Sequence, residues 1–345
     1  MKALVLEEYG RLEVRDVEDP KPGPGDVLVR VKACGICGSD VHGLDGSTGR
    51  RLPPIIMGHE AAGIVESLGS EVRHLRPGDR VTLDSTLYDP ESYFSKRGQF
   101  NLCDERRVLG VSCEDYRQHG AFAELVAVPA HVAFPLPEGL SFEQAALTEP
   151  VSVALHARRL IEITPGDTAV VFGAGLIGSM ILQVLRNEPL KQLVAVDVDA
   201  GRLALARELG ASHAFDPGRS DVTAELRELT EGRGADVAFE AVGVEATVRG
   251  AILAVRKGGS VSLVGNLAPN VSLPLQVVVT RQLKLQGSCA SSGEYPDCLA
   301  LIASGAVDVD RFISATAPLE DGARWFDRLY RKEPGLMKVI LKPNG

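Results

Sequence analysis

A thiol, an imidazole and two carboxylates stand in short glycine- or proline-flanked segments of the first 150 residues. Cys37 opens Cys-Gly-Ser-Asp-Val-His (37–42), His59 and Glu60 close Gly-His-Glu (58–60), and Glu149 lies in Leu-Thr-Glu-Pro (147–150). Sulfur, nitrogen and oxygen donors of this kind suit Zn²⁺, and three protein ligands with one position open is the catalytic arrangement. Cys37 and His59 are 22 positions apart and Glu149 comes 90 after His59. Such a set closes around a metal only if the fold gathers distant loops. Cys34 precedes Cys37 in a Cys-x-x-Cys pair, but no second pair completes a zinc knuckle, so Cys34 reads as a small buried residue.

A second chemical signal is Gly173-x-Gly175-x-x-Gly178 with Leu176 and Ile177 inside it. Alone the spacing is weak, and a glycine turn packing a helix on a sheet would look the same. Its context strengthens it: a buried-strand pattern (Ala169–Phe172) before, an apolar helical stretch (Met180–Leu185) after, and Asp197 about 20 positions on. The glycines allow a tight turn and close approach of a pyrophosphate to the helix N-terminus. Asp197, ending the next strand, would accept hydrogen bonds from ribose hydroxyls and repel a 2′-phosphate, which favours NAD over NADP. Asp199 is the weaker ribose candidate, and Arg202, opening the next helix, completes this set of cofactor candidates.

The elements that must position these residues change character near residue 150. Before it, short β segments such as Val27–Val31, Ala62–Glu66 and the Pro-Gly-Asp-Arg-Val turn at 77–81 are cut by Gly and Pro. After it, apolar strands (Leu193–Asp197, Asp236–Glu240, Ser260–Val264) alternate with helices, the pattern of a parallel sheet covered on both faces. A last strand, Val339–Leu341, lies in a tail of mixed character. The expected class is α/β: a Rossmann doubly wound domain (151–289) inserted into a mainly β domain built from 1–150 and 290–345.

Composition agrees. The chain has 345 residues, 45% hydrophobic and 24% charged, with formal net charge −9. That excludes disorder and argues against a nucleic-acid partner, whose phosphates would be repelled. Neither a signal peptide nor a membrane span is expected, and six unevenly spread cysteines fit free thiols in a reducing cytoplasm.

Taken in order, Cys-Gly-Ser-Asp-x-His, Gly-His-Glu, Pro-Gly-Asp-Arg-Val, Gly-Ala-Phe-Ala-Glu (120–124), Glu-Pro-x-Ser-Val (149–153) and the glycine fingerprint resemble the zinc-dependent medium-chain dehydrogenases. Within that family the sorbitol (polyol) dehydrogenase branch is most similar, and the match spans nearly the whole chain. The resemblance implies a GroES-like catalytic domain, hydride transfer between a secondary alcohol and NAD, and Cys37 and His59 as zinc ligands. It leaves the third ligand open between Glu60 and Glu149. It also implies a proton relay through Ser39 and His42, with Glu149 as a rival acceptor. Further cofactor contacts are implied at Val242, Gly243, Val264, Gly265 and Cys289, with Lys338 near the pyrophosphate.

The family's structural zinc lobe has four cysteines; here Asp89, Ser92, Ser95 and Cys103 stand at those positions, so one zinc per subunit is expected. Packing around Tyr88, Tyr93 and Phe94 would hold the lobe instead. Polyol enzymes carry a Tyr after the relay His and an Arg-Tyr pair after the Gly matching Gly287; this chain has Gly43 and Ala290-Ser291. Tyr295, Arg50 and Arg51 are read as surface residues within reach of substrate. The substrate stays open among polyols, sugars, alditol derivatives and small diols such as butanediol. A non-catalytic NAD(H)-binding sensor is the rival of another class. Assembly into a homotetramer or homodimer is expected through the β-rich stretch Val271–Leu285.

Overall fold

The computed structural model describes residues 1–344 and divides into two compact units. One comprises Met1–Glu149 together with the chain from Ser292 onward; the other is Pro150–Ser291.

The first unit is built on a seven-stranded sheet. Its main path runs Ala133–Pro135, Arg80–Leu83, Glu60–Leu68, Asp26–Gly35, Lys338–Lys342, Ile313–Pro318, with Leu125–Pro129 also paired to Asp26–Gly35. The Asp26–Gly35 strand alternates half-covered and buried positions up to Cys34 and Gly35, which are both buried. Val27, Val29 and Val31 enter a core with Leu4, Leu6, Phe122 and Phe326. Register positions the chemistry. Gly35 stands opposite Glu60 on one side and Ile340 on the other. The start of the Glu60–Leu68 strand and the start of the C-terminal strand therefore meet beside the turn that carries Cys37.

The second unit holds a six-stranded, wholly parallel sheet. Its order is His213–Phe215, Gln192–Val196, Thr168–Phe172, Ala235–Glu240, Val255–Leu263, Lys284–Gly287. Numbered within the unit this is 3-2-1-4-5-6, the doubly wound dinucleotide order, which reverses beside the first strand. Thr168–Phe172 is buried throughout, as a strand covered on both faces must be. Expectation and structure part at Val271–Leu285. Leu275–Thr280 is a short helix there, and only Lys284–Gly287 forms an edge strand. A run of β-branched residues after Pro274 suits either state, and the proline at the helix start decides locally. No described helix is long and apolar enough to cross a membrane.

Candidate metal and dinucleotide sites

Cys37 ends the turn after Ile36 and caps the short helix Gly38–Gly43. His59 follows Gly58, whose φ of +94° and lack of a Cβ let the chain pass Cys34 and Phe122 before entering the next strand at Glu60. Gly35 leaves space for the Glu60 carboxylate; a Cβ there would sit 2.1 Å from its Oε2. Ligand atoms of Cys37, His59 and Glu60 all lie within 4.8 Å of one another, the one such group among the described residues. Glu149, in the first turn of the Thr148–Arg159 helix, accepts a 3.4 Å hydrogen bond from Ser85 and lies outside that group. Burial pushes its carboxyl up to about 7, with the nearby Glu60 charge adding to the rise and His59 opposing it.

The surroundings of His59 fit a cation. Its Nδ1 lies 3.4 Å from Oδ1 of Asp40, long for a hydrogen bond, and has no closer polar partner. Burial works against a charged imidazole, yet Asp40 and Cys37 outweigh it and raise His59 well above its ordinary value. A carboxylate behind one ring nitrogen leaves the other for a metal, the usual second partner of a zinc-bound histidine. Sulfur, nitrogen and oxygen donors held together, His59 and Glu60 buried and Cys37 half-buried, match Zn²⁺.

Lys338 requires a correction. Expected at the pyrophosphate, its ammonium instead donates to both carboxylate oxygens of Glu60, at 2.7 and 2.6 Å, and to the Ile36 carbonyl at 3.0 Å. It is 1% exposed, so the pair is desolvated and is satisfied by these partners. The strand register that puts Ile340 opposite Gly35 makes this contact, and no local motif announces it. Arg51 and Tyr295 are corrected as well. Neither is a surface residue: Arg51 is 3% exposed and pairs with Asp40, and Tyr295 is fully buried against Phe134 with ring centroids 5.2 Å apart. Arg50, by contrast, is exposed, as are Ser39 and His42 on the Gly38–Gly43 helix.

Sequence reasoning passed over Asp40, Asp84 and Glu240. Asp40 lay in plain view in the Cys-Gly-Ser-Asp motif, three residues after Cys37, and its carboxylate also accepts the Cys37 backbone N–H at 3.3 Å. Asp84 is buried, and desolvation pushes it up to about 8 despite a 2.8 Å hydrogen bond from the Thr86 N–H. Glu240 is fully buried and accepts the Val242 and Gly243 N–H groups at 2.9 and 2.8 Å.

In the lobe before Cys103, Ser92 donates to Ser95 Oγ at 2.8 Å and the Ser95 N–H donates to Ser92 Oγ. Tyr88 stacks on Phe100 at 4.5 Å, and Tyr93, 62% exposed and under Arg97, meets Phe94 edge to face at 5.2 Å. A hollow of about 990 Å³ nearby is lined by Tyr88, Arg107 and His119 and contains none of the ligand candidates.

In the second unit a cavity of about 530 Å³ is lined by Gly173, Asp197, Arg202 and Val242, with Val198, Ser220 and Thr247. Gly173 has φ +90°, and a Cβ on it would meet Val242 at 2.4 Å. Gly175 caps the Leu176–Leu185 helix, so Leu176 and Ile177 form its first turn. A Cβ on Gly178 would collide with the Gly173 carbonyl at 1.7 Å. Asp197 is held by the Ala174 N–H at 2.7 Å and the Asp199 N–H at 2.9 Å, with Arg202 at 3.7 Å. Asp199 caps the next helix through the Arg202 N–H and is thereby occupied. Gly243 and Gly265 pack backbone on backbone, and the N–H groups of Val264 and Gly265 both donate to the Glu240 carbonyl. Cys289 is exposed beyond the edge strand.

Two family models match this chain: "Alcohol dehydrogenase GroES-like domain" over residues 23–138 and "Zinc-binding dehydrogenase" over 177–304. Sorbitol dehydrogenase of Arabidopsis thaliana is 38% identical over 86% of this chain and 82% of its own. Sorbitol dehydrogenase of Homo sapiens is 33% identical over 99% and 95%. Among solved structures, 2R,3R-butanediol dehydrogenase from Bacillus subtilis superposes with TM-score 0.88 at 32% identity, covering 99% of each chain.

Proposed function

The chain belongs to the zinc-dependent medium-chain dehydrogenases, in the sorbitol dehydrogenase-like branch, and from that premise we propose that it oxidises a secondary alcohol of a polyol, sugar or alditol derivative to the ketone with NAD. The observation that carries the reading is the convergence of a half-buried Cys37 with the buried His59 and Glu60. When bound there, zinc supplies a Lewis acid that lowers the pKa of an alcohol hydroxyl, and NAD accepts the hydride. Glu60 is our third ligand, held in place by Lys338; Glu149 stands next to the group as an acceptor for the hydroxyl proton. A half-buried carboxylate beside the group, with a Ser85 hydroxyl on one oxygen, suits a general base. Ser39 and His42, at i and i+3 on one exposed helix face, offer the alternative exit for that proton. Asp197 selects NAD by meeting the ribose hydroxyls with a fixed carboxylate.

A small diol as substrate is the second reading. Gly43 and Ala290-Ser291 lack the side chains that polyol enzymes of this family present, and the butanediol enzyme has the same fold. Steady-state oxidation of sorbitol, xylitol, galactitol and (2R,3R)-butanediol with NAD, alongside zinc content, tests both. Turnover of an alditol supports the first reading and turnover of butanediol alone the second. A zinc-loaded protein that oxidises no secondary alcohol contradicts both. We place the enzyme in the cytoplasm as a homotetramer or homodimer, on the strength of its thiols and an exposed sheet edge.

A further inference from the structure

The motif residue Asp40 has a buried partner that the activity does not explain. Arg51 donates to Asp40 Oδ1 through a terminal guanidinium nitrogen at 2.9 Å and through Nε at 3.3 Å. Its other terminal nitrogen donates to the Arg50 carbonyl at 3.0 Å, and the first also reaches Ser39 Oγ at 3.3 Å. The two side chains are 4% and 0% exposed, so this is a desolvated pair. The same Asp40 oxygen faces His59, and the other accepts the Cys37 N–H. Asp40 therefore touches both residues from which the metal site is built, and Arg51 fixes Asp40 from behind. Gly43 admits the arrangement: a Cβ there would stand 2.3 Å from Arg51 Cγ.

We propose that Arg51 is a positioning residue of the metal site, clamping Asp40 so that His59 and the Cys37 turn are preset for Zn²⁺, and that Gly43 is glycine to make room for it. The proposal rests on the ligand reading above. Two guanidinium nitrogens converging on Oδ1, in a plane anchored also by the Arg50 carbonyl and Ser39, fix that oxygen in a way that a lysine ammonium does not. Outer partners of metal-bound histidines typically contribute about 10- to 100-fold in metal affinity. Because the contact requires both an arginine at 51 and a hydrogen at 43, the two positions are coupled.

The test uses the full-length zinc-loaded protein and the variants R51M, R51K, G43A and G43A/R51M. Zinc release to a chromogenic chelator is timed, and the visible d–d spectrum is recorded after Co²⁺ substitution. R51M is expected to release zinc at least about tenfold faster and to shift the cobalt bands, with R51K intermediate. G43A should match R51M although alanine is the better helix former, and the double variant should be no worse than R51M. If R51M fails to fold, G43A probes the same contact with the arginine still in the chain. Release and spectra unchanged in R51M or, where that variant does not fold, in G43A would overturn the proposal, as would fully additive effects of the two substitutions. Zinc retained unchanged by H59A would instead remove the ligand reading, and the proposal with it.

Discussion

Asp197 shows how one side chain is specified twice. Two backbone N–H groups fix its carboxylate at the cavity wall, and in the proposed function that fixed carboxylate would discriminate between ribose and ribose phosphate. Asp197→Ser removes the negative charge and leaves Arg202 facing the same space. The ratio of kcat/KM for NAD to that for NADP should fall by at least about tenfold, the equivalent of roughly 1.4 kcal/mol; an unchanged ratio would refute the assignment. Asp84 allows a pH test. Its folded pKa of about 8 exceeds the ordinary 3.8, so between these values the folded state binds the extra proton and stability falls as pH rises. Asp84→Asn keeps an oxygen for the Thr86 N–H but cannot ionise. The drop in Tm between pH 5 and pH 8 should be smaller in the variant; parallel curves would contradict the buried-acid account. At this scale the cysteine, histidine and glutamates were legible because their types and motifs are local. Arg51 and Lys338 were not, because their meaning comes from Asp40 and Glu60 across a turn and a sheet.

Whole elements were legible wherever periodicity was strong. Thr168–Phe172, Gln192–Val196 and Ala235–Glu240 fall where continuous apolar runs put them, since a strand buried on both faces has no polar alternation to confuse it. The Leu275–Thr280 helix was missed because Val-Val-Val carries β propensity, which a proline start and local packing override. In the proposed function the glycine turn before Leu176 is the element on which dinucleotide binding would depend. A methyl at Gly178 would meet the Gly173 carbonyl, which is backbone and cannot swing aside. Gly178→Ala should therefore abolish the thermal shift produced by NAD while far-UV circular dichroism persists; an NAD shift equal to wild type would show that the turn is not the pyrophosphate cradle.

On the scale of the molecule, the division into a β-rich unit and a parallel-sheet unit follows from one change in sequence texture near residue 150 and its reversal after about 290. The register of the central sheet was invisible to that reasoning. It joins residues as far apart as Glu60 and Lys338 and brings the C-terminal strand beside two scattered motifs, those of Cys37 and of His59-Glu60. Exposed Leu275 and Val279 lie just before the edge strand Lys284–Gly287, leaving apolar surface at that end of the second sheet. Light scattering should accordingly give a mass of two or four times 36.8 kDa, and a monomer at micromolar concentration would contradict assembly through this edge. The account as a whole depends on the metal, and zinc-edge anomalous diffraction from crystals of the zinc-loaded protein tests it most directly. It predicts one strong peak per chain bounded by Cys37, His59 and Glu60. A peak beside Cys103, or none between those three side chains, would contradict it.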